Sequence, residues 1–369
     1  MKTAVKRIGK VVLVLLAAVV LLVGGYVGYL QGQYNRIADH ETLAVTSRIE
    51  GQALQPGKEY SAATYNVGFG AYTPDYTFFM DEGMMNDGTP TKGEHGIAVS
   101  RESVEACTMG AVKVLADLNA DFMLLQEVDE DSTRSWNVNQ ELAFVNAFPD
   151  TAFTYAVNFH TGFLAYPWPE MHGIVNSGLL TLSRFDIESA ERRSYPIDES
   201  FITKFFDLDR CFAVHRLPVA NGKELVLINS HMSAYDAGGR MRAQQLAMIS
   251  GVLAEERAKG NYVIAGGDWN HALCDSAKLY PSEQQLPGWV SIIGPDDVPE
   301  GFHVVRPDNL SSVATCRGAD IPYEPGVDYV TTIDGFIVSD NVSARAQNVD
   351  TGYAYSDHNP VKLTFSLKK

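Results

Sequence analysis

A chain of 369 residues that is 46% apolar and 20% charged has the composition of an ordinary globular protein, with ample residues for a large core, and disorder is excluded. Its formal charge of −16 excludes non-specific polyanion binding through bulk charge. Four cysteines, Cys107, Cys211, Cys274 and Cys316, stand at no metal-ligand spacing, so a zinc site is not expected.

Lys2, Lys6, Arg7 and Lys10 precede residues 11–30, an apolar run without one charged residue. As a helix that run spans about 30 Å, the hydrocarbon thickness of a bilayer. Basic residues crowd its near side, whereas Arg36, Asp39, Glu41, Arg48 and Glu50 on the far side are mixed. The positive-inside rule makes residues 1–10 a cytoplasmic basic tail, 11–30 an uncleaved transmembrane signal-anchor in the cell membrane, and the rest extracytoplasmic. A cleaved signal peptide is the competing reading; the run is long for one, and no small-x-small cleavage site follows it. Setting the four bases aside leaves −20 on residues 31–369.

Residues 31–58, with Pro56-Gly57, read as a polar tether, and 59–369 as the folded domain. A strand-like run at 60–65 ends at Asn66, and Gly68 and Gly70 turn the chain. Residues 71–96 are aromatic, Met- and Gly-rich without a period, and are expected as a long loop. Ser100 is placed to N-cap a helix whose Val104, Ala111, Val112, Leu115 and Leu118 recur at helical spacing. The buried strand 122–125 ends in Gln126-Glu127. A helix at 139–148 follows, then apolar segments at 153–158 and 178–183 with an aromatic loop, 163–168, between them. Residues 207–210 lead into a strand at 211–217. Asn221-Gly222 marks a hairpin turn. The next strand, 224–228, ends in Asn229-Ser230-His231.

Residues 239–259 read as a helix with Leu246, Ile249, Val252 and Leu253 inward. The strand 262–265 ends in Gly266-Gly267-Asp268-Trp269-Asn270. Residues 275–328 are loops with short elements, 330–339 a strand holding Asp334, and 361–367 a final alternating strand. Outside the membrane disulfides are allowed, and Cys274 and Cys316 fall in loop territory where they can pair; Cys107 and Cys211 read as core thiols. The succession strand, helix, strand ending in an acid occurs at 60–127 and again at 224–268. Two such halves make a layered α/β sandwich, two mixed sheets packed together and flanked by helices, with polar residues gathered where the strand ends meet.

Those polar residues are Asn66, Glu127, His231, Asp268, Asn270, Asp334, Asp357 and His358. Hard oxygen donors with imidazoles and no thiolate suit Mg²⁺, or Mn²⁺, and such ions attend phosphate chemistry. Singly, each has a blander reading: Asn66 as a turn residue, Glu127 as a helix-cap partner, His231 as a structural histidine. Asp334 differs, because a carboxylate inside an apolar strand needs a partner, and His358 suits.

The motifs Thr64-Tyr65-Asn66, Leu125-Gln126-Glu127, Asn229-Ser230-His231, Gly267-Asp268-Trp269-Asn270, Ile333-Asp334-Gly335-Phe336 and Ser356-Asp357-His358 resemble, in order, those of the endonuclease/exonuclease/phosphatase superfamily. Pancreatic-type deoxyribonucleases, abasic-site endonucleases, neutral sphingomyelinases and inositol-polyphosphate 5-phosphatases belong to it. The resemblance implies a metal site of Asn66, Glu127 and Asp357. It implies that Asp268 and Asn270 orient or activate water, that His231 stabilises phosphoryl charge or assists the leaving group, and that Asp334 holds His358 as the second catalytic imidazole. Arg210 resembles a phosphate-contacting arginine of the deoxyribonuclease branch, and Asn176 is the other candidate for substrate contact. Gly335 stands where the 5-phosphatases carry Arg after their Trp-Thr-Asp, which argues against an inositol phosphatase. The expectation is an outward-facing, Mg-dependent phosphodiesterase anchored in the membrane. Its expected substrate is nucleic acid, with a sphingomyelin-like phospholipid or a phosphomonoester as the alternative; a decayed, binding-only protein is the non-enzymatic alternative.

Overall fold

Alternation along the strands decides which side chains fill the core. In the computed structural model, which describes residues 2–49, 51–201, 203–205, 209–234 and 239–369, two mixed sheets stack face to face with helices outside. In chain order the main elements are α1 (Lys2–Gln33), β1 (Glu41–Thr42), β2 (Glu59–Asn66), α2 (Arg101–Leu118), β3 (Phe122–Asp129), α3 (Gln140–Ala147), β4 (Ala152–Leu164), β5 (Gly173–Ser183) and β6 (Ser189–Ser194). They continue with β7 (Cys211–Pro218), β8 (Glu224–His231), α4 (Arg240–Ala258), β9 (Tyr262–Asp268), β10 (Phe302–Val304), β11 (Asp334–Ser339), β12 (Val342–Asn348) and β13 (Val361–Leu367). One sheet runs β1-β6-β7-β8-β9-β11-β10 and the other β12-β13-β2-β3-β5-β4.

The parallel pairs β2–β3 and β8–β9 sit at the centre of each sheet, with α2 and α4 as their crossovers. Each half therefore has the strand–helix–strand unit that the sequence repeat implied. On β8, Leu225 and Leu227 face the opposite sheet while Val226 and Ile228 face α4. On β3, Phe122 and Leu124 face inward and Met123 and Leu125 face α2 and α3. Ser100 caps α2 by accepting from the Ser103 backbone N–H at 3.1 Å.

Several expectations are corrected. The expected tether is bound along the domain over its described residues: β1 pairs with β6, Thr46 bridges Phe153, and Leu43 and Leu54 are buried in the inter-sheet core. The stretch 71–96 contains a small hairpin, Glu82–Met84 with Pro90–Lys92. The strand expected at 330–339 is broken: Val330–Thr331 pairs with Cys316–Arg317, and β11 starts afresh at Asp334. The Thr315 hydroxyl accepts from the Ile333 and Asp334 backbone N–H groups at 3.0 and 3.1 Å, which peels that segment off the ladder. β6 and β12, too polar to stand out, were not foreseen. All four cysteines are free thiols, and Cys316 is buried against His358, so the Cys274–Cys316 pairing is overturned. Residues 207 and 208 lie outside the described residues.

One buried histidine ties the sheets together. His215 on β7 donates from Nδ1 to the Leu227 carbonyl (3.0 Å), and its Nε2 accepts from the Thr154 hydroxyl on β4 (2.7 Å). Burial lowers its pKa to about 4. Unfolded histidine takes up its proton first on acidification, so this group costs stability as pH falls from about 6.5 to 4, by up to about 3 kcal/mol. The stability gap between wild type and His215→Met should therefore narrow by about that amount from neutral pH to about 4. Denaturant titrations across pH check it; a gap that stays constant would show that His215 is not held neutral.

Candidate active site

The inward phase that builds the core also builds the site. Continuing Ala62 and Thr64 on β2 leads to Asn66; continuing Leu227 on β8 leads through Asn229 to His231; Ile264 and Gly266 on β9 lead to Asp268. Past the last apolar layer the two sheets are joined by Gln126, whose amide donates to Asn229 Oδ1 at 2.8 Å. Beyond this link opens a cavity of about 440 Å³.

Seven of the ten expected residues line that cavity: Glu127, Arg210, His231, Asp268, Asn270, Asp357 and His358. Asn66 and Asp334 stand just behind it. Asn66 Nδ2 donates to Asp268 Oδ2 (3.0 Å) and Glu127 Oε1 (3.2 Å), and Asp334 Oδ2 accepts from His358 Nδ1 (2.8 Å). Asn176 is not at the cavity; its amide donates to Glu130 at 2.8 Å, and its neighbour Ser177 lines the wall instead.

Glu127 breaks the alternation. Its phase would send it outward with Leu125, but the register of β3 against β5 slips between Leu125 and Val128, and Glu127 takes φ +54°. This bulge turns the carboxylate into the cavity. Asn270, at φ +49°, is likewise bent back: its N–H donates to Asp268 Oδ1 (2.9 Å) and its amide to the Met232 carbonyl (2.8 Å). Strained residues of this kind persist where the surroundings fix them.

Asp268 is the hub. Its Oδ2 lies 3.4 Å from His231 Nε2 and 3.8 Å from His358 Nε2. Burial pushes its carboxyl up to about 7, against the pull of His358, with Asp334 adding to the rise. The two imidazoles are driven apart. Burial, reinforced by Arg210, His358 and Arg134, holds His231 far below the usual histidine range. Burial also opposes charge on His358, but Asp334, Cys316, Asp357 and Asp268 together outweigh it and hold His358 well above that range. The surroundings thus favour the neutral form of His231 and the imidazolium form of His358.

Two groups of hard donors are present. Glu127 and Asp357 are two carboxylates that face the cavity, beside Asn66, whose Nδ2 here donates to Glu127 while its Oδ1 accepts from the Gly68 N–H at 3.0 Å. Burial raises the Asp357 carboxyl, and the like charge of Glu127 raises it further. A hard divalent cation would relieve that repulsion, so the two carboxylates fit such an ion. Asp268, Asp334 and His358 each bring one ligand-type atom within 4.8 Å of the others. There the Asp334–His358 hydrogen bond occupies the imidazole Nδ1 and orients the ring, leaving Nε2 turned to Asp268.

Residues not foreseen complete the site. Asn158 Nδ2 lies 3.4 Å from His231 Nδ1 and leaves Nε2 to carry the proton. Its signal was an asparagine on the inward phase of an apolar strand. Arg134 chelates Asp129 at 2.8 and 3.0 Å, stands 4.0 Å from Glu127, and stacks 3.9 Å from the Phe69 ring centroid. Phe69, Tyr72, Phe78, Phe79 and Phe159 make one cavity wall aromatic.

The sequence model described as "Endonuclease/Exonuclease/phosphatase family" matches residues 63–358. No curated protein matches the chain. Among solved structures, an endonuclease/exonuclease/phosphatase from Beutenbergia cavernae superposes with a TM-score of 0.57 at 13% identity, over 84% of this chain and 72% of that one. TDP2 from Caenorhabditis elegans gives 0.51 at 14% identity, over 84% and 75%. ANGEL2, a 2′,3′-cyclic phosphatase, gives 0.51 at 14% identity, over 89% and 99%. At these identities the likeness is one of fold.

Proposed function

The chain belongs to the Endonuclease/Exonuclease/phosphatase family, and from that premise we propose that it is a divalent-metal-dependent phosphodiesterase, held at a membrane by α1 with its domain outside. The observation that carries the chemistry is Asp268, buried at the end of the inter-sheet core with its Oδ2 within 3.8 Å of Nε2 of both His231 and His358. For the anchor, Val5–Gln33 is long and apolar enough to cross a bilayer, and its apolar window is unburied.

Asn66, Glu127 and Asp357 would hold the cation, which supplies positive charge to the phosphoryl oxygens. Asp268 and Asn270 hold the attacking water, and Asp268 takes its proton as the water oxygen bonds to phosphorus. His231, neutral and protonated at Nε2, donates a hydrogen bond to a phosphoryl oxygen. His358, oriented by Asp334, offers its Nε2 proton to the oxygen that departs as the P–O bond breaks.

Nucleic acid is the first substrate reading, supported by a fold relative, TDP2 from D. rerio, whose structure holds a single-strand DNA product. A phospholipid is the second. It is favoured by Phe159 and Leu164, which line the cavity and also pack on Leu30 at the end of α1. The test is hydrolysis of single-strand DNA, plasmid and sphingomyelin vesicles by the full chain with Mg²⁺. Activity should vanish with EDTA and return with added metal. Glu127→Gln should raise the Mg²⁺ needed for half-maximal rate by at least about tenfold, an effect already typical of groups that merely support ligands. Asp334→Asn should slow the reaction without moving that requirement; the reverse pattern would shift the ion to the Asp268–Asp334–His358 group. EDTA-resistant cleavage would overturn the metal reading.

A further inference from the structure

The end of α1 is bonded to the tip of the β4–β5 hairpin. The Tyr26 hydroxyl donates to the Phe163 carbonyl (3.0 Å) and accepts from the Ala165 N–H (2.8 Å), while the Tyr29 hydroxyl accepts from the Phe163 N–H (3.0 Å). One turn on, Leu30 is buried among Phe159, Leu164, Val175 and Phe205. The Lys204 ammonium donates to Gln31 at 2.8 Å, and Arg36 pairs with Asp209 at 2.7 Å. The helix therefore leaves its apolar run already fixed to the domain.

This fixes a depth. The apolar run ends at Leu30, where Gln31, Gly32 and Gln33 follow. Tyr26 lies four residues inside that end, about 6 Å along the axis at 1.5 Å per residue. Residues 163–165 bond the hydroxyls of both Tyr26 and Tyr29, so they stand beside the last turns of the apolar run, the part of a span that meets the headgroups. The hairpin tip has the matching chemistry: Trp168 is 78% exposed, Tyr166 54% and Phe163 37%. Phe201, beside Phe205, is 58% exposed. Exposed aromatic rings are the residues enriched at bilayer interfaces.

We propose that Phe163, Tyr166 and Trp168 at the hairpin tip are seated in the interfacial layer of the same phospholipid bilayer that α1 spans. Because Leu164 and Tyr166 also line the catalytic cavity, its mouth is held at the headgroup surface. The proposal rests on the reading of α1 as a membrane span and not on the identity of the substrate.

The experiment places the full chain in phosphatidylcholine vesicles with and without brominated acyl chains and reads tryptophan emission. Of the four tryptophans, Trp168 is the most exposed, while Trp269 is fully buried. Brominated lipid should quench the wild type, and Trp168→Phe, a mild change at an exposed site, should remove at least half of that quenching. Carbonate extraction of the same vesicles reports on α1 separately. Protein that resists carbonate but shows equal quenching in wild type and Trp168→Phe overturns the seating and leaves the anchor standing. Protein released by carbonate overturns both.

Discussion

Asp268→Asn should lower phosphodiester hydrolysis by about 10³-fold, in the range of removing a positioned general base, while leaving the thermal unfolding transition nearly unmoved. The substitution keeps size and shape, and the strand around the residue is held by backbone bonds: β9 is paired on one side with β8 and on the other with β11. What it removes is the acceptor. Asp268 Oδ2 receives the Asn66 amide at 3.0 Å and faces both imidazoles within 3.8 Å. An amide at that position offers no oxygen basic enough to take a proton from water, and its NH₂ opposes the Asn66 donor or the His231 Nε2–H. Steady-state rates on a chromogenic diester, with circular dichroism on the same sample, check the result. A variant retaining more than a tenth of wild-type rate would remove Asp268 from the chemistry and move the base to another carboxylate of the cavity.

The second large effect is expected one residue earlier and is on folding. Gly267→Ala should cost about 3 kcal/mol or more, the upper end of overpacking in a well-packed core. A Cβ at residue 267 would lie 1.9 Å from the Ser230 carbonyl oxygen and 2.8 Å from its carbon, on the strand that β9 pairs with in parallel. Neither is the end of a flexible side chain, so β8 and β9 must separate. They carry His231 and Asp268 as their last residues, and activity should fall along with stability. Denaturant midpoints measure the first effect and rates on the surviving folded fraction the second. Loss of less than about 0.5 kcal/mol would mean that the sheet gives way here more easily than interiors usually do.

Much of this protein is legible from its residues because the signals are local. The caps and spacing of α2, the apolar runs of β3, β8 and β9, the Asn221-Gly222 turn and the uncharged stretch after Lys10 each state their own structure within a few residues. The motifs also stand at strand ends, so period-two alternation alone places Asn66, His231 and Asp268 on the face where the sheets meet. Asp334 was readable for a different reason: a carboxylate in an apolar strand requires a partner, and His358 is that partner.

What only the tertiary structure decided are the places where a distant group overrides a local rule. Glu127 has the wrong phase for the cavity and reaches it through a bulge fixed by the pairing of β3 with β5, a contact the local sequence does not encode. Thr315 ends the strand before β11 by taking two backbone N–H groups. Asn176 goes to Glu130 because β5 presents Ser177, not Asn176, to the cavity. The opposite charge preferences of His231 and His358 come from which charges surround each when the sheets close. The sequence by itself determined the elements, the halves and the inventory of donors, since propensity and alternation act over a turn or a strand. The aim of each carboxylate, the charges around each imidazole and the attachment of the hairpin tip to α1 depend on contacts between residues as far as 202 positions apart, which exist only after the chain has folded.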